Sequence, residues 1–171
     1  MGAAAPYSAL SSGLVPDLFQ AKRLLCVQPH YDDNDLGAGG TLAALADAGV
    51  ELIYLTVTDD LVGVTDPLLS PEKATQKLQQ EQLNAAKIIG VQQHLRLDLP
   101  DAGSYDYFEM RRQIIRAIRL LRPDFLMTCD PWLIYESHRD HIRTGLAVAE
   151  ASYLHAMIRL PTDPFVDDAY E

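Results

Sequence analysis

Apolar positions along the chain fall into short continuous runs separated by longer amphipathic stretches, and the two kinds alternate. Arg23–Gln28 (RLLCVQ) is an apolar run closed by Pro29, the pattern of a strand buried on both faces. Glu51–Thr58 (ELIYLTVT) repeats the pattern with more β-branched residues. Shorter strands are expected at His94–Leu97 and Asp124–Thr128. Between them the period lengthens to that of a helix. Leu36–Ala48 places Leu36, Leu42, Leu45 and Ala46 near one face and stops at Gly49. Pro71–Ile89 has Pro71 in its first turn, Glu72 behind it and Gly90 as C-cap. Tyr107–Leu121 lines up Met110, Ile114, Ile118 and Leu121 and is stopped by Pro123; a further helix is expected over Arg139–Arg159. Asp59–Ser70 and the stretch from Leu160 (160–171) read as loop. Residues 1–20 read as a tail with an amphipathic turn around Leu14–Phe19.

Strands alternating with helices predict an α/β fold: a mostly parallel sheet with helices on both faces, wound right-handed, with 3-2-1-4 as the expected strand order. A length of 171 residues fits one such domain over 1–171, and with 48% apolar residues the chain can build its core. The formal net charge of −10, with no cluster of Lys and Arg, argues against nucleic acid and gives no attraction to anionic membranes. No apolar run approaches membrane-spanning length, and Met1–Gln20 lacks the basic start and apolar core of a signal peptide. Cys26 and Cys129 each sit in an apolar run read as a buried strand. They are expected to be reduced structural thiols in a cytoplasmic protein; Cys129 stands close to His138 and His141 in the chain, and a buried strand thiol is preferred there to a metal ligand.

Two clusters carry chemistry. Pro29-His30-Tyr31-Asp32-Asp33 follows the first strand, and His138-Arg139-Asp140-His141 follows the fourth. In the expected order those strands are neighbours, and ligands of open parallel sheets bind at the carboxyl ends of strands where the order reverses. The clusters can supply imidazoles and a carboxylate to a divalent ion and leave a second carboxylate to handle protons, which is what metal-assisted hydrolysis needs. The plainer readings are an Asp capping a helix after a strand-end turn, and two half-exposed histidines at a helix start. His94 and His155 have no such context and read as structural. Trp132 and Tyr135 read equally as packing or as pocket lining, Asp130 as a residue supporting the metal ligands or as a turn residue, and Asp167-Asp168 as a solvated tail. Gly37-Ala38-Gly39-Gly40 lacks nucleotide-loop spacing and reads as small residues that bring a helix close to the sheet.

P-H-Y-D-D, followed by Leu36-Gly37-Ala38-Gly39-Gly40-Thr41 and later by Asp130-Pro131-Trp132 and H-R-D-H, resembles the PIG-L/LmbE family of zinc-dependent N-acetyl deacetylases. The likeness runs from about Leu24 to Ala151 and takes in Glu81 with Ala85, Ile89-Gly90-Val91 and Arg122-Pro123-Asp124. It implies a Rossmann-like three-layer sandwich with His30, Asp33 and His141 as ligands of Zn2+, and iron, cobalt or manganese also suit such donors. It further implies Asp32 as general base, His138 as stabiliser of the tetrahedral intermediate or as acid, and Asp140 as the residue that orients His138. The implied substrate is a small N-acetylated molecule, an amino sugar or its conjugate. The chain departs from the family pattern at Tyr31 and Arg139, where Pro is usual, at Asn34 for Glu, and at Leu78, beside Lys77, where many members carry Arg. Members usually continue well past the second motif. A fragment, a short form, or a homo-oligomer that completes the site are therefore all readings of this length, as is a metal-binding module without activity.

Overall fold

The structure, a computed structural model, describes residues 17–170, without the side chains of residues 168 and 170. Leu14 of the expected N-terminal turn lies outside that range; its second half is a 3-10 turn, Leu18–Gln20. Four parallel strands, β1 (Arg23–Gln28), β2 (Glu51–Thr58), β3 (Gln93–Leu99) and β4 (Phe125–Met127), form one sheet in the order β3-β2-β1-β4. This is the expected order. The helices are α1 (Asp33–Asp47), α2 (Pro71–Ile89), α3 (Tyr107–Leu121), α4 (Arg139–Leu154) and α5 (Pro164–Tyr170).

The two-residue period of the strands divides the core. Leu24 and Cys26 of β1 and Leu52 and Tyr54 of β2 point to one side, where they bury Leu42 and Leu45 of α1 together with Ile89 and Val91. Leu25, Val27, Ile53, Leu55 and Val57 point to the other, against Met110, Ile114 and Ile118 of α3 and Ala147, Val148 and Ala151 of α4. Burial on both faces is why β1 and β2 read as unbroken apolar runs. Leu24–Cys26 pair with Leu52–Tyr54 on one side and with Phe125–Met127 on the other. The strand order therefore reverses at the end of β1. At the opposite, amino-terminal end Asp124 ties β4 to β1, its Oδ2 accepting the backbone N–H groups of Lys22 and Arg23 at 2.7 and 2.9 Å.

Local chemistry sets the helix ends. Ser70 caps α2 through the Lys73 N–H at 3.4 Å, with Pro71 in the first turn, and Gly90 closes it at φ +96°. A Cβ at residue 90 would also lie 2.7 Å from that of Ala46, so backbone and packing both demand glycine. Asp106 caps α3 through the N–H groups of Phe108 and Glu109.

Several expectations are corrected. Helix α1 starts at Asp33 rather than Leu36, because the Gln28 side chain accepts the Asn34 N–H at 2.9 Å and so satisfies the helix start directly on the end of β1. Leu36 is then turned outward and 81% exposed. A Cβ at Gly37 or Gly40 would meet nothing within 4 Å, so close packing on the sheet does not explain these glycines. Helix α4 ends at Leu154, not Arg159. The stretch expected as loop contains α5, held by Arg119 of α3. That buried guanidinium donates to the carbonyls of His155, Met157 and Leu160 at 2.9–3.0 Å and to Asp167 Oδ1 at 2.6 Å. Asp167 also accepts the Thr162 and Asp163 N–H groups at 2.7 and 3.1 Å, so it is a structural anion rather than a solvated one. No helix among the described residues is long and apolar enough to cross a membrane.

Candidate metal centre

The carboxyl ends of all four strands open on the same region, and each contributes. After β1 the chain turns at once into α1, and the turn is closed by Asp33, whose Oδ2 accepts the His30 N–H at 2.8 Å. The same oxygen lies 3.3 Å from His30 Nδ1, while Asp33 Oδ1 lies 3.3 Å from Nε2 of His141 on α4. The Asp33 carboxylate is thus held between two imidazoles that stand more than a hundred positions apart in the chain. The other nitrogen of each ring faces a further carboxylate: His30 Nε2 is 3.2 Å from Asp101 Oδ1, and His141 Nδ1 is 3.0 Å from Glu136 Oε2. His138 forms the third side. Its ring centre is 4.6 Å from that of His30 in edge-to-face contact and 4.8 Å from that of His141.

The electrostatics are those of an acidic basin around a buried imidazole. Burial by itself would lower the pKa of His30. The hydrogen bond to Asp33 and the charges of Asp33, Asp60 and Asp101 outweigh it and raise the value to about 9. Burial pushes Asp33 up, but its bonds to His30 and the nearby His141 and His30 rings win, and it is held below the usual carboxylate range. Asp60, which accepts the Tyr31 N–H at 3.1 Å, is raised by burial and by the like charges of Asp32 and Asp101. A cluster this rich in carboxylates draws a proton onto His30 and would draw a cation equally well.

The donors fit a divalent ion. Ligands about 2.0–2.1 Å from a tetrahedral zinc stand roughly 3.3–3.4 Å from one another, close to the separation of Asp33 from each imidazole. Among the described residues, ligating atoms gather within 4.8 Å of one another in three combinations: His30–His138–His141, His30–Asp101–His138–Asp140, and Asp33–Cys129–His141. The expected trio His30, Asp33 and His141 is therefore brought together pairwise through Asp33 but spread over two of these groups.

Asp32, expected as base, occupies the N-cap position of α1 without capping it and is exposed. It lines a cavity of about 210 Å³ with Tyr31, Asp35, Asp60, Leu78, Glu81, Gln82 and Ala85. His138 caps α4, its Nδ1 accepting the Asp140 N–H at 3.3 Å. The Asp140 carboxylate does not orient His138 as expected. It is fully buried and accepts from the Ala102 N–H at 2.8 Å and the Tyr105 hydroxyl at 2.7 Å, with His30 Nε2 3.9 Å away. The loop after β3 claims this carboxylate because Ala102, at φ +51°, aims its N–H inward.

Sequence reasoning passed over Asp101 and Glu136. Glu136 stands two residues before His138, and Asp101 two residues past a strand that ends at Leu99 rather than Leu97. Cys129 is also displaced from its expected place. It lies beyond β4, half-buried, with its thiol pushed up to about 12 by burial and by the charges of Asp33 and Glu136. Trp132, 71% exposed, lines a cavity of about 410 Å³ with Cys129, Asp130 and Gly145, Tyr135 is 98% exposed, and Asp130 forms the turn, accepting the Trp132 N–H at 2.9 Å. His94 packs edge-on against Tyr54, away from the cluster.

Fold and centre together define an α/β protein with imidazole and carboxylate donors gathered at the switch point of a parallel sheet. Residues 25–152 match the PIG-L family, GlcNAc-PI de-N-acetylase, and the chain belongs to that family. It is 38% identical over 130 residues to the diacetylchitobiose deacetylase of Thermococcus kodakarensis, covering 76% of this chain and 49% of that protein. It is 28% identical over 170 residues to a 1D-myo-inositol 2-acetamido-2-deoxy-alpha-D-glucopyranoside deacetylase of Kineococcus radiotolerans, covering 81% and 47%. The N,N'-diacetylchitobiose deacetylase of Pyrococcus horikoshii superimposes with a TM-score of 0.78 and 32% identity over 99% of this chain and 66% of that one. The chain spans about half the length of these curated relatives.

Proposed function

We propose that this chain carries the catalytic centre of a metal-dependent N-acetyl deacetylase acting on a small N-acetylated amino sugar or its conjugate. The observation that carries the reading is the Asp33 carboxylate, 3.3 Å from a nitrogen of both His30 and His141. The relatives named for removing acetyl groups from diacetylchitobiose and from a glucosaminyl inositol support the substrate class. His30, Asp33 and His141 would hold the ion, zinc by donor chemistry, with iron also accommodated. When bound, the ion supplies Lewis acidity: it polarises the acetyl carbonyl and acidifies water.

The chain's own residues do the rest. Asp32, directly before the ligand Asp33, is exposed and lines the cavity bounded by Asp35, Asp60 and Glu81, free of the capping bond that would tie its carboxylate to α1. It takes the proton of the attacking water and returns it to the departing amine. His138 has Nδ1 occupied as acceptor of the Asp140 N–H, which leaves Nε2–H as a donor for the oxyanion of the tetrahedral intermediate. Asp101 and Glu136 accept from the outward nitrogens of His30 and His141 and fix the two rings, while Asp140 anchors the loop after β3 beside His30.

The test is acetate release from N-acetylglucosamine, diacetylchitobiose and an N-acetylglucosaminyl inositol by the purified chain carrying one equivalent of zinc. Asp32→Asn is expected to keep the metal and to lower turnover by about 10²–10⁴-fold. A zinc-loaded chain that releases acetate from none of them would instead be a metal-binding module. Full turnover in Asp32→Asn would remove the assigned base.

A further inference from the structure

The centre contains a donor of another kind on its β4 side. Cys129 Sγ, an Asp33 oxygen and a His141 nitrogen lie within 4.8 Å of one another. The position of Cys129 is enforced. A Cβ on Gly145 of α4 would come within 2.5 Å of the Cys129 carbonyl oxygen and 2.8 Å of Pro131 Cδ. Glycine there lets α4, which carries His141, seat directly on the turn that carries Cys129. The second free thiol, Cys26, points from β1 into the core against α1 and is fully buried.

We propose that Cys129 is a ligand-competent thiol of this centre, completing a set Asp33–Cys129–His141 that takes a soft divalent ion such as Zn2+ or Cd2+. This rests on the reading of the centre as a metal site. Catalytic zinc keeps one coordination position for water, whereas four protein ligands make a closed site. Cys129 would take the place of water beside Asp33 and His141, and the ion would be held in a resting form. The step is an acid–base exchange: the sulfur–hydrogen bond breaks, its proton leaves to solvent, a sulfur–metal bond forms, and the displaced water is released. Thiolate favours zinc and cadmium over manganese, so the closed form is selective for soft ions.

Cobalt(II) titration of the purified chain reads this without an activity assay. Expected are visible ligand-field bands together with a near-ultraviolet thiolate-to-cobalt charge-transfer band, the latter lost in Cys129→Ser and kept in Cys26→Ala. Cys129→Ser is also expected to weaken Cd2+ binding by about tenfold and Mn2+ binding by less than about twofold. Ligand-field bands without the charge-transfer band in the unsubstituted chain would overturn the thiol ligand and leave the metal centre standing. Failure to retain cobalt on dialysis would overturn both. Equal weakening for cadmium and manganese would show Cys129 to be packing only.

Discussion

Arg119 and His30 are both buried and both ringed by oxygen atoms, and they resolve that situation in opposite ways. Arg119 meets three carbonyls and one carboxylate, so its charge is matched and its donors are used by the chain that surrounds it. His30 faces Asp33 at 3.3 Å, Asp101 at 3.2 Å and Asp140 at 3.9 Å, more negative charge than one imidazole can balance. The first cluster holds the segment after α4 in place. The second is complete only when it gains a proton or a cation. A buried polar group that the fold satisfies belongs to the architecture, and one left over-provided with charge marks the site.

The largest effect expected from this contrast is structural. Arg119→Ala removes one partner of a buried pair and takes the guanidinium donor away from the carbonyls of His155, Met157 and Leu160. It should cost about 3–5 kcal/mol in denaturant unfolding and leave metal stoichiometry unchanged where the chain is still folded. An unaltered unfolding midpoint would deny the cluster its structural role.

The next effect is in pH. The folded-state pKa of His30 is raised to about 9, above its ordinary value of 6.5, so the metal-free chain is stabilised by that proton below about pH 6.5 and loses the contribution as pH rises through 9. The loss is on the order of 3 kcal/mol. An ion bound by His30 displaces the proton, so zinc should abolish this slope and bind more tightly as pH rises over the same window. A metal-free chain whose stability is flat from pH 6.5 to 9 would contradict the acidic environment assigned to His30.

Smaller still is Asp101→Asn, which keeps the shape of a buried residue and removes the charge facing His30 Nε2. Zinc affinity measured by competition with a chelator should fall by about 10–100-fold. An unchanged affinity would make Asp101 a loop residue only. At the bottom of the scale, Lys77 and Glu81 form an exposed pair at 3.9 Å, and Lys77→Ala should change stability by less than about 0.5 kcal/mol.

Much of this was legible in one dimension. The limits of β1, β2, α2 and α3 follow from apolar runs, Ser70, Pro71, Gly90 and Pro123, all of them local signals. Helix α5 escaped because seven residues show no period, and its stability comes from Arg119 and from Asp163, which caps it through the Phe165 and Val166 N–H groups. Asp101 escaped because pairing with β2 carries β3 on to Leu99, past an irregularity between Thr56 and Thr58 that no residue type announces. Cys129 was read as strand because apolar residues run up to it, yet β4 finds partners only in Leu24–Cys26.

Residue type and spacing were enough to predict a parallel α/β sheet and two clusters beyond its strands, because burial and turn chemistry act on neighbours along the chain; the 3-2-1-4 order was an expectation that the tertiary structure decided. They could not assign the Asp140 carboxylate to Tyr105 and Ala102 or place Asp101 and Glu136 behind the imidazoles. Those contacts lie near 3 Å; all but that of Glu136 with His141 join segments tens of positions apart, and they exist only once the packed helices have set the loops against one another.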